Sequence, residues 1–242
     1  MRQGRADAVA EQLLALVLDG TFPVGEPLPS EAELATRFGV SRLTVREAIR
    51  SLASTRVIHV QQGRSSVVNA PRRWSPLDGR LLAARGRAEG DALLLPRRLL
   101  EARRVVEVAI AELAAERRTT DHLDRLTAAH EAMVAAHDRG DVPAVAEADL
   151  EFHSLLFEAA DNVFLSALFE PLSSVLLAAR RETSSVAAMR EHAIDAHAAV
   201  LGAVEEGDVG GAGEAMRAHL LQTEGDFERY LGPEYATDAE PA

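Results

Sequence analysis

The chain has 242 residues and no cysteine, so it is long enough for two domains and can form neither disulfides nor thiolate metal sites. Its N-terminus does not resemble a signal peptide and no apolar run is long enough to span a bilayer, so we expect a cytoplasmic protein that contacts no membrane. The net charge is −12, but residues 1–75 contain 10 arginines against 7 acidic residues. We therefore expect any contact with nucleic acid to lie in this N-terminal part.

The first elements of the chain are helices joined by sharp turns. Residues 6–19 predict an amphipathic helix, and the turn-rich segment GTFPVGEP follows it. Residues 28–52 then predict two short helices around a tight turn. Ser30 with Glu33 forms a capping-box pattern for the first of them, Gly39 permits the turn, and Ser41 can cap the second. This layout indicates a helix-turn-helix.

The second of these helices has one apolar face and one arginine face. Val45, Ile49 and Leu52 repeat at helical spacing and predict a buried side. Such a helix can enter the major groove of DNA, where arginine binds guanine and hydroxyl groups meet other base edges. The residues predicted to contact DNA are Ser41, Arg42, Thr44 and Arg46. The competing interpretation is an ordinary helical hairpin with a solvated arginine face.

The segment after this helix favours DNA binding over that alternative. Residues 57–60 and 66–69 are short β-prone runs separated by QQGRSS, which predicts a hairpin. Gly63 permits its turn, and Arg64 at the tip can reach phosphate or the minor groove. A hairpin directly after the helix makes a winged helix-turn-helix, so we expect double-stranded DNA as a partner.

The remainder of the chain predicts an all-α bundle. The segment APRRWSPLDG breaks regular structure and is expected to act as a linker, where Trp74 either docks the two domains or simply packs. Glycine-aspartate pairs at 140–141 and 207–208 predict a helix end followed by a helix start. The predicted helices are 77–86, 95–118, 121–139, 142–160, 163–181, 185–206 and 208–230.

The expected fold is therefore mainly α, with a winged helix-turn-helix followed by a helical bundle. The predicted domains are 1–70 for the winged unit, 71–78 for the linker and 79–231 for the bundle, with a flexible tail over 232–242.

Four ionisable residues are predicted to face the interior of the bundle. Asp149 and His153 share one helix face with Phe152 and Leu156, and His197 and His219 project with apolar neighbours on two later helices. Buried ionisable groups need a partner, and these four can ligate a divalent metal, with zinc as first choice and manganese or nickel as alternatives. A lone inward histidine is more often a hydrogen-bonded core residue. His192 falls on the opposite side of its helix.

The N-terminal motifs resemble those of the GntR family of bacterial transcription regulators. The signature LPSE-x-ELA, GVSR-x-x-VREA is matched by Leu28–Glu31, Glu33–Ala35, Gly39–Arg42 and Val45–Ala48. Three positions depart from the family pattern, namely Ala32 in place of an arginine used for DNA contact, and Arg56 and Ser65 in place of glycines. These departures leave the fold intact but open the question of which operator is read.

The C-terminal part resembles the FadR subfamily with its helical FCD effector domain. The segments ADLEFH, DAHAAV and RAHL match its metal motif and carry Asp149, His153, His197 and His219. EARRVVE is similar to the E-x-R segment of the subfamily, which implies that Arg103 binds the carboxylate of a small organic acid. The alternative for Arg103 is a salt bridge with Glu101 or Glu107.

Together these features predict a homodimeric transcription regulator that binds a near-palindromic operator. A small carboxylic-acid effector is expected to control this binding. The competing class is a metal-dependent hydrolase or lyase with a DNA-binding appendage. No general base is evident beside the metal ligands, since Glu151 points elsewhere on its helix, so we expect no enzymatic activity.

Overall fold

The computed structural model describes residues 4–61, 65–75, 77–78, 81 and 94–231. The chain divides into two compact units, Met1–Ala92 and Leu93–Ala242. Within the described residues of the first unit, the helices are α1 (Arg5–Leu18), α2 (Glu31–Phe38) and α3 (Arg42–Ser54).

Local capping explains where α2 and α3 begin and end. The Ser30 hydroxyl accepts from the Glu33 backbone N–H at 3.3 Å, and the Glu33 carboxylate accepts from the Ser30 N–H at 2.8 Å. Gly39 ends α2 in the left-handed region, with φ at 66°. Ser41 then caps α3 by accepting from the Thr44 N–H at 3.1 Å. The predicted helix-turn-helix is confirmed.

An antiparallel hairpin follows α3. Strands β1 (Ile58–His59) and β2 (Val67–Val68) pair so that Ile58 lies opposite Val68. The predicted wing is therefore present, although Gly63 and Arg64 of its turn lie outside the described residues.

The first unit reaches past the boundary at residue 70 that the sequence suggested. Pro71–Arg73 forms a short 3-10 turn, and Trp74 is buried in the same core as Leu13, Val45 and Ile58. The indole Nε1 of Trp74 donates to the Asn69 carbonyl at 2.9 Å. Trp74 therefore packs within the winged unit, because its large apolar ring completes that core and its single donor finds a backbone acceptor.

The described part of the second unit is helical throughout. Its helices are α4 (Leu94–Arg117), α5 (Thr120–Asp138), α6 (Val142–Ala159), α7 (Val163–Phe169), α8 (Ser173–Thr183), α9 (Ala187–Glu206) and α10 (Val209–Leu231). Gly140 and Gly207 both adopt positive φ, at 67° and 72°. Asp141 caps α6 by accepting from the Ala144 N–H, as the sequence predicted.

One predicted helix is wrong in its extent. The segment 163–181 was expected to form a single helix, but a 3-10 turn over Glu170–Leu172 separates α7 from α8 with a bend of 64°. Pro171 is the physical cause, because it lacks a backbone N–H and its ring clashes with the preceding helical turn. Most of the predicted helix 77–86 and the whole tail 232–242 lie outside the described residues.

Helix packing places the interior of the second unit between its five long helices, α4, α5, α6, α9 and α10. Helix α4 packs on α10, α10 on α9, and α6 on both α5 and α8. Phe152, Leu156, Val200 and Met216 are buried in the core that results. Among the described helices no single one is long and apolar enough to cross a membrane, although the bent pair Val163–Leu172 and Val175–Thr183 meets that criterion by length and composition.

Candidate metal centre and nucleic-acid interface

The exposed face of α3 carries the predicted base-reading residues. Arg42 and Arg46 are exposed, while Thr44 is half-buried and its hydroxyl lies 2.9 Å from the Ser41 hydroxyl. Ser41 and Thr44 therefore stabilise the start of α3 in the free protein. The arginines remain the longest polar side chains available on this face.

Arg46 has a partner that the sequence did not indicate. Its guanidinium donates to the Glu31 carboxylate from Nε at 2.9 Å and from Nη2 at 2.6 Å. The hydrogen bond from Arg46 lowers the pKa of Glu31 below its ordinary value. This forked ion pair joins α2 to α3 and orients Arg46. No helical spacing relates the two positions, so periodicity could not have found the pair.

Three histidines from three different helices converge inside the second unit. His153 lies on α6, His197 on α9 and His219 on α10, and all three are buried. One ring nitrogen of each lies within 4.8 Å of those of the other two. The three residues predicted from helical periodicity are thus brought together, at a separation that a single metal ion can bridge.

Asp149, the fourth predicted ligand, lies beside this cluster but is engaged elsewhere. Its Oδ1 is 3.7 Å from the Nε2 of His153 and accepts a hydrogen bond from the Nε of Arg180. Burial alone would raise the pKa of Asp149, but the Arg180 guanidinium and His197 more than offset it and hold that pKa below its ordinary value. Helical periodicity did not point to Arg180, which lies on a separate helix, α8.

Glu107 is the second residue that periodicity alone did not assign to the site. Its carboxylate accepts from the Nδ1 of His153 at 2.7 Å and from the Nε of Arg103 at 2.7 Å. Arg103 also lies 3.4 Å from the Nε2 of His153 through Nη2. The salt bridge expected as an alternative for Arg103 is therefore formed, with Glu107, and it sits at the histidine cluster itself.

The electrostatics of the site favour neutral imidazoles. Burial lowers the pKa of His197 to about 3 and is the main cause of the pKa of His219 falling well below its ordinary value. The pKa of His153 is lowered too, chiefly by burial and despite the opposing effect of Glu107. Neutral imidazole is the form that binds metal. With the histidines neutral, the two arginines and two carboxylates around them balance in charge.

A small cavity opens beside the cluster. Its volume is about 50 Å³, and its polar lining includes Arg103, Asp149, Arg180, His219 and Gln222. A larger groove of about 590 Å³ runs along α6, α7 and α8, with mostly apolar walls and His153 at its edge. Of the two, the smaller cavity is the one lined by Arg103, Asp149 and Arg180. His192 is exposed and is not part of the cluster, but its Nδ1 lies 2.8 Å from the carboxylate of Asp226, which also lines the small cavity.

Two known domain families match the chain, one in each unit. The gntR family of bacterial regulatory proteins matches residues 5–68, and the FCD domain matches residues 98–222. The chain belongs to the GntR family and carries an FCD domain. The winged unit is thus its DNA-binding domain, and the protein is a transcription regulator.

Similar regulators span most of the chain. The galactonate operon transcriptional repressor of Escherichia coli is 33% identical over 162 residues, which are 67% of this chain and 69% of the relative. The regulator LutR of Bacillus subtilis is 30% identical over 224 residues, 89% and 98% of the two chains. The putative L-lactate dehydrogenase operon regulatory protein of E. coli is 28% identical and covers 93% of this chain and 87% of its own length.

A solved structure agrees with this family in fold. The Listeria monocytogenes regulator Lar superposes with a TM-score of 0.66 at 20% identity, over 95% of this chain and 99% of that chain. The domains and relatives are those of transcription regulators, not enzymes, and FCD domains commonly bind metal.

Arg56, one of the three positions that differ from the family signature, has an unusual backbone conformation. This residue replaces a usual glycine and adopts φ of 58°, a left-handed conformation that costs free energy for any residue with a Cβ. This backbone conformation is one that glycine adopts without steric cost. Ala32 is half-buried on α2, and Ser65 is exposed beyond the wing turn.

Proposed function

We propose that this GntR-family regulator is controlled by a small carboxylic acid, which binds at a divalent metal ion in the helical domain. The observation that carries the proposal is the convergence of three buried histidines beside a cavity that two buried arginines line. Binding of the effector changes the affinity of the winged domain for DNA.

The donor set fits a divalent metal. Glu107 accepts from the Nδ1 of His153, so the lone pair of that ring is on Nε2, which faces the Nε2 of His197 at 3.1 Å and the Nη2 of Arg103 at 3.4 Å. The Nδ1 of His219 is buried with no hydrogen-bond partner among the described residues. Three neutral imidazoles with a carboxylate nearby suit zinc, and manganese or nickel as alternatives. Asp149, His153, His197 and His219 would hold the ion, which would supply a positive charge and a place for an anionic ligand.

The charge of the site supports an anionic effector. Arg103 and Arg180 balance Glu107 and Asp149, and burial keeps the histidines neutral. A divalent ion would add two positive charges, of which the further carboxylate on the cavity wall, Asp226, would offset one. A carboxylate offsets part of that charge, and Arg103 lies where a guanidinium can pair with it.

The relatives suggest the chemical class of the acid. One is named for the galactonate operon and another for an L-lactate dehydrogenase operon. Galactonate and lactate are both hydroxy acids. The cavity of about 50 Å³ favours the smaller members of that class unless it expands on binding.

We infer that the regulator acts as a homodimer on a near-palindromic operator. Two winged domains would place their α3 helices in successive major grooves, with Arg42 and Arg46 toward base edges and Ser41 and Thr44 at the helix start. Gly63 and Arg64 of the wing turn would meet the adjacent backbone or minor groove. Effector binding changes operator affinity only if it favours one of two arrangements of the dimer.

The test measures DNA binding, metal content and effector response together. The purified chain, either zinc-loaded or stripped with a chelator, is titrated by fluorescence anisotropy onto labelled DNA from upstream of its own gene. L-Lactate, glycolate and D-galactonate are added in turn. We expect at least one acid to change operator affinity in the zinc-loaded protein and to have no effect on the stripped protein.

Two histidine variants provide the matched comparison. His197→Ala is expected to lose zinc and the response to acid, whereas His192→Ala, which alters a histidine outside the cluster, should keep zinc. Equal zinc content in the two variants would contradict the ligand set. Operator binding that no acid alters in zinc-loaded wild type would contradict control by this class of effector.

A further inference from the structure

Arg180 is a buried cation with only one of its nitrogens in use. Its side chain is 4% exposed, and its Nε donates to the Asp149 carboxylate. The two terminal nitrogens, Nη1 and Nη2, are buried and have no hydrogen-bond partner within the part of the chain that the structure describes. Buried guanidinium donors without acceptors are costly, so the arrangement indicates that an acceptor is supplied from outside the chain.

The side chain of Arg180, which carries these unpaired donors, lines the small cavity. Arg180 on α8 and Arg103 on α4 line it together with Asp149 and His219. Arg103 already has the Glu107 carboxylate as a counter-charge at 2.7 Å. Among the described residues Arg180 has one ion-pair partner, Asp149, which is also a candidate ligand of the metal. Of the two arginines, Arg180 is the one whose two terminal nitrogens are both buried without a described partner.

Asp149 lies between Arg180 and the histidine cluster, and the same carboxylate oxygen faces both. Its Oδ1 is the atom bound to Arg180 and is also the carboxylate oxygen that lies 3.7 Å from the Nε2 of His153. A divalent ion among the histidines attracts that oxygen more strongly than a guanidinium does, because it carries twice the charge. A metal ion that takes this oxygen as a ligand would weaken the pair with Arg180 and leave a buried cation in need of an anion.

We propose that Arg180 is a second anion-binding residue of the effector site, and that metal binding strengthens this role by drawing Asp149 away from the Nε of Arg180. Arg180 would then bind a ligand carboxylate through its forked Nη1 and Nη2 groups. This proposal rests on the proposed function and adds an order to it, in which metal binds first and acid second. The ligand class is a small carboxylate short enough to lie between the metal site and Arg180.

The test compares three variants of the full chain. Arg180→Gln removes the guanidinium, Arg180→Lys keeps a positive charge beside Asp149 but lacks the forked pair, and Arg181→Gln changes the exposed neighbour on the same helix. Zinc affinity is measured by competition with a chromophoric chelator. Binding of L-lactate, glycolate and D-galactonate is then measured by calorimetry, with and without zinc.

The expected results separate the roles of Arg180. Wild type and Arg181→Gln should bind acid only when zinc is present. Arg180→Gln should bind zinc about tenfold more tightly, because the competitor for Asp149 is gone, and acid at least about tenfold more weakly. Arg180→Lys, which guards against loss of folding, should keep near-normal zinc affinity and lose acid affinity.

Three results would overturn the proposal. Acid affinity that survives both changes at Arg180 would show that the residue does not bind the ligand. Weaker zinc binding by Arg180→Gln would show that Arg180 holds Asp149 in place for the metal and does not compete with it. If zinc-loaded wild type binds none of the acids, the proposed function fails as well, whereas an unchanged response in the Arg180 variants refutes this inference alone.

Discussion

Replacing Glu107 with glutamine tests whether the carboxylate organises the site. Glu107 is 1% exposed and accepts from both the Nδ1 of His153 and the Nε of Arg103. Its pKa lies well below the ordinary value, because Arg103 and His153 more than offset the effect of burial. Glutamine has nearly the same shape, so the change removes one charge and leaves packing intact.

The magnitude follows from the burial of the pair. Breaking a buried ion pair from one side costs about 3–5 kcal/mol, because the remaining charge is left without compensation. Glutamine keeps one acceptor oxygen, so we expect a loss of about 3 kcal/mol, the lower end of that range. For a chain of this size this corresponds to a fall in Tm of about 6–12 °C. Loss of the partner that orients His153 should also weaken zinc binding about 10- to 100-fold.

The assay combines thermal unfolding with zinc titration, and Glu101→Gln is the control. Glu101 lies on the same helix, α4, but is exposed. We expect the control to unfold and bind zinc like wild type. A Glu107→Gln protein that unfolds within about 1 °C of wild type and binds zinc equally well would refute the view that Glu107 neutralises Arg103 and orients His153.

Three further changes have defined outcomes. Arg56→Gly should stabilise the protein by about 0.5–1 kcal/mol in urea unfolding, because glycine adopts the observed φ of 58° without steric cost; a loss of stability would contradict this. The metal-free protein should lose stability as pH falls below about 6.5, since burial lowers the pKa of His197 to about 3 in the folded state and the unfolded state binds the proton first. For His197 alone this amounts to about 2 kcal/mol between pH 6.5 and 5, and equal urea midpoints at pH 7 and 5 would argue against a neutral buried imidazole. Glu31→Gln should steepen the salt dependence of operator binding by about one unit of log–log slope, since it frees Arg46 from a forked pair; an unchanged slope would count against Arg46 as a DNA contact.

The winged unit was predictable because its signals are local. Ser30 and Glu33 cap a helix within four residues, and Gly39 makes the turn at its end. The bundle was predictable for the same reason where glycine and aspartate separate helices. The break at Pro171 shows the limit, because strong apolar periodicity on both sides concealed a residue that cannot continue a helix.

The histidine cluster and its surroundings were only half predictable. Helical periodicity placed His153, His197 and His219 inward, because each lies among apolar residues at helical spacing. It could not identify Arg180 or the role of Glu107, since both contacts depend on how separate helices pack. Arginine and glutamate also occur throughout the exposed faces of this chain, so neither stands out in the sequence.

The sequence by itself determined the class of this protein. The capping residues, the turn glycine and the arginine face of α3 are short-range features, so their chemistry specifies a winged helix-turn-helix without knowledge of the rest. The inward histidines likewise follow from the period of an α-helix. Only the tertiary structure decided how the buried charges are paired. Packing α4, α6 and α8 together gives Glu107 to His153 and Arg103, and gives Arg180 to Asp149. These pairings depend on the distances between helices, which cannot be derived from the spacing of residues along one helix.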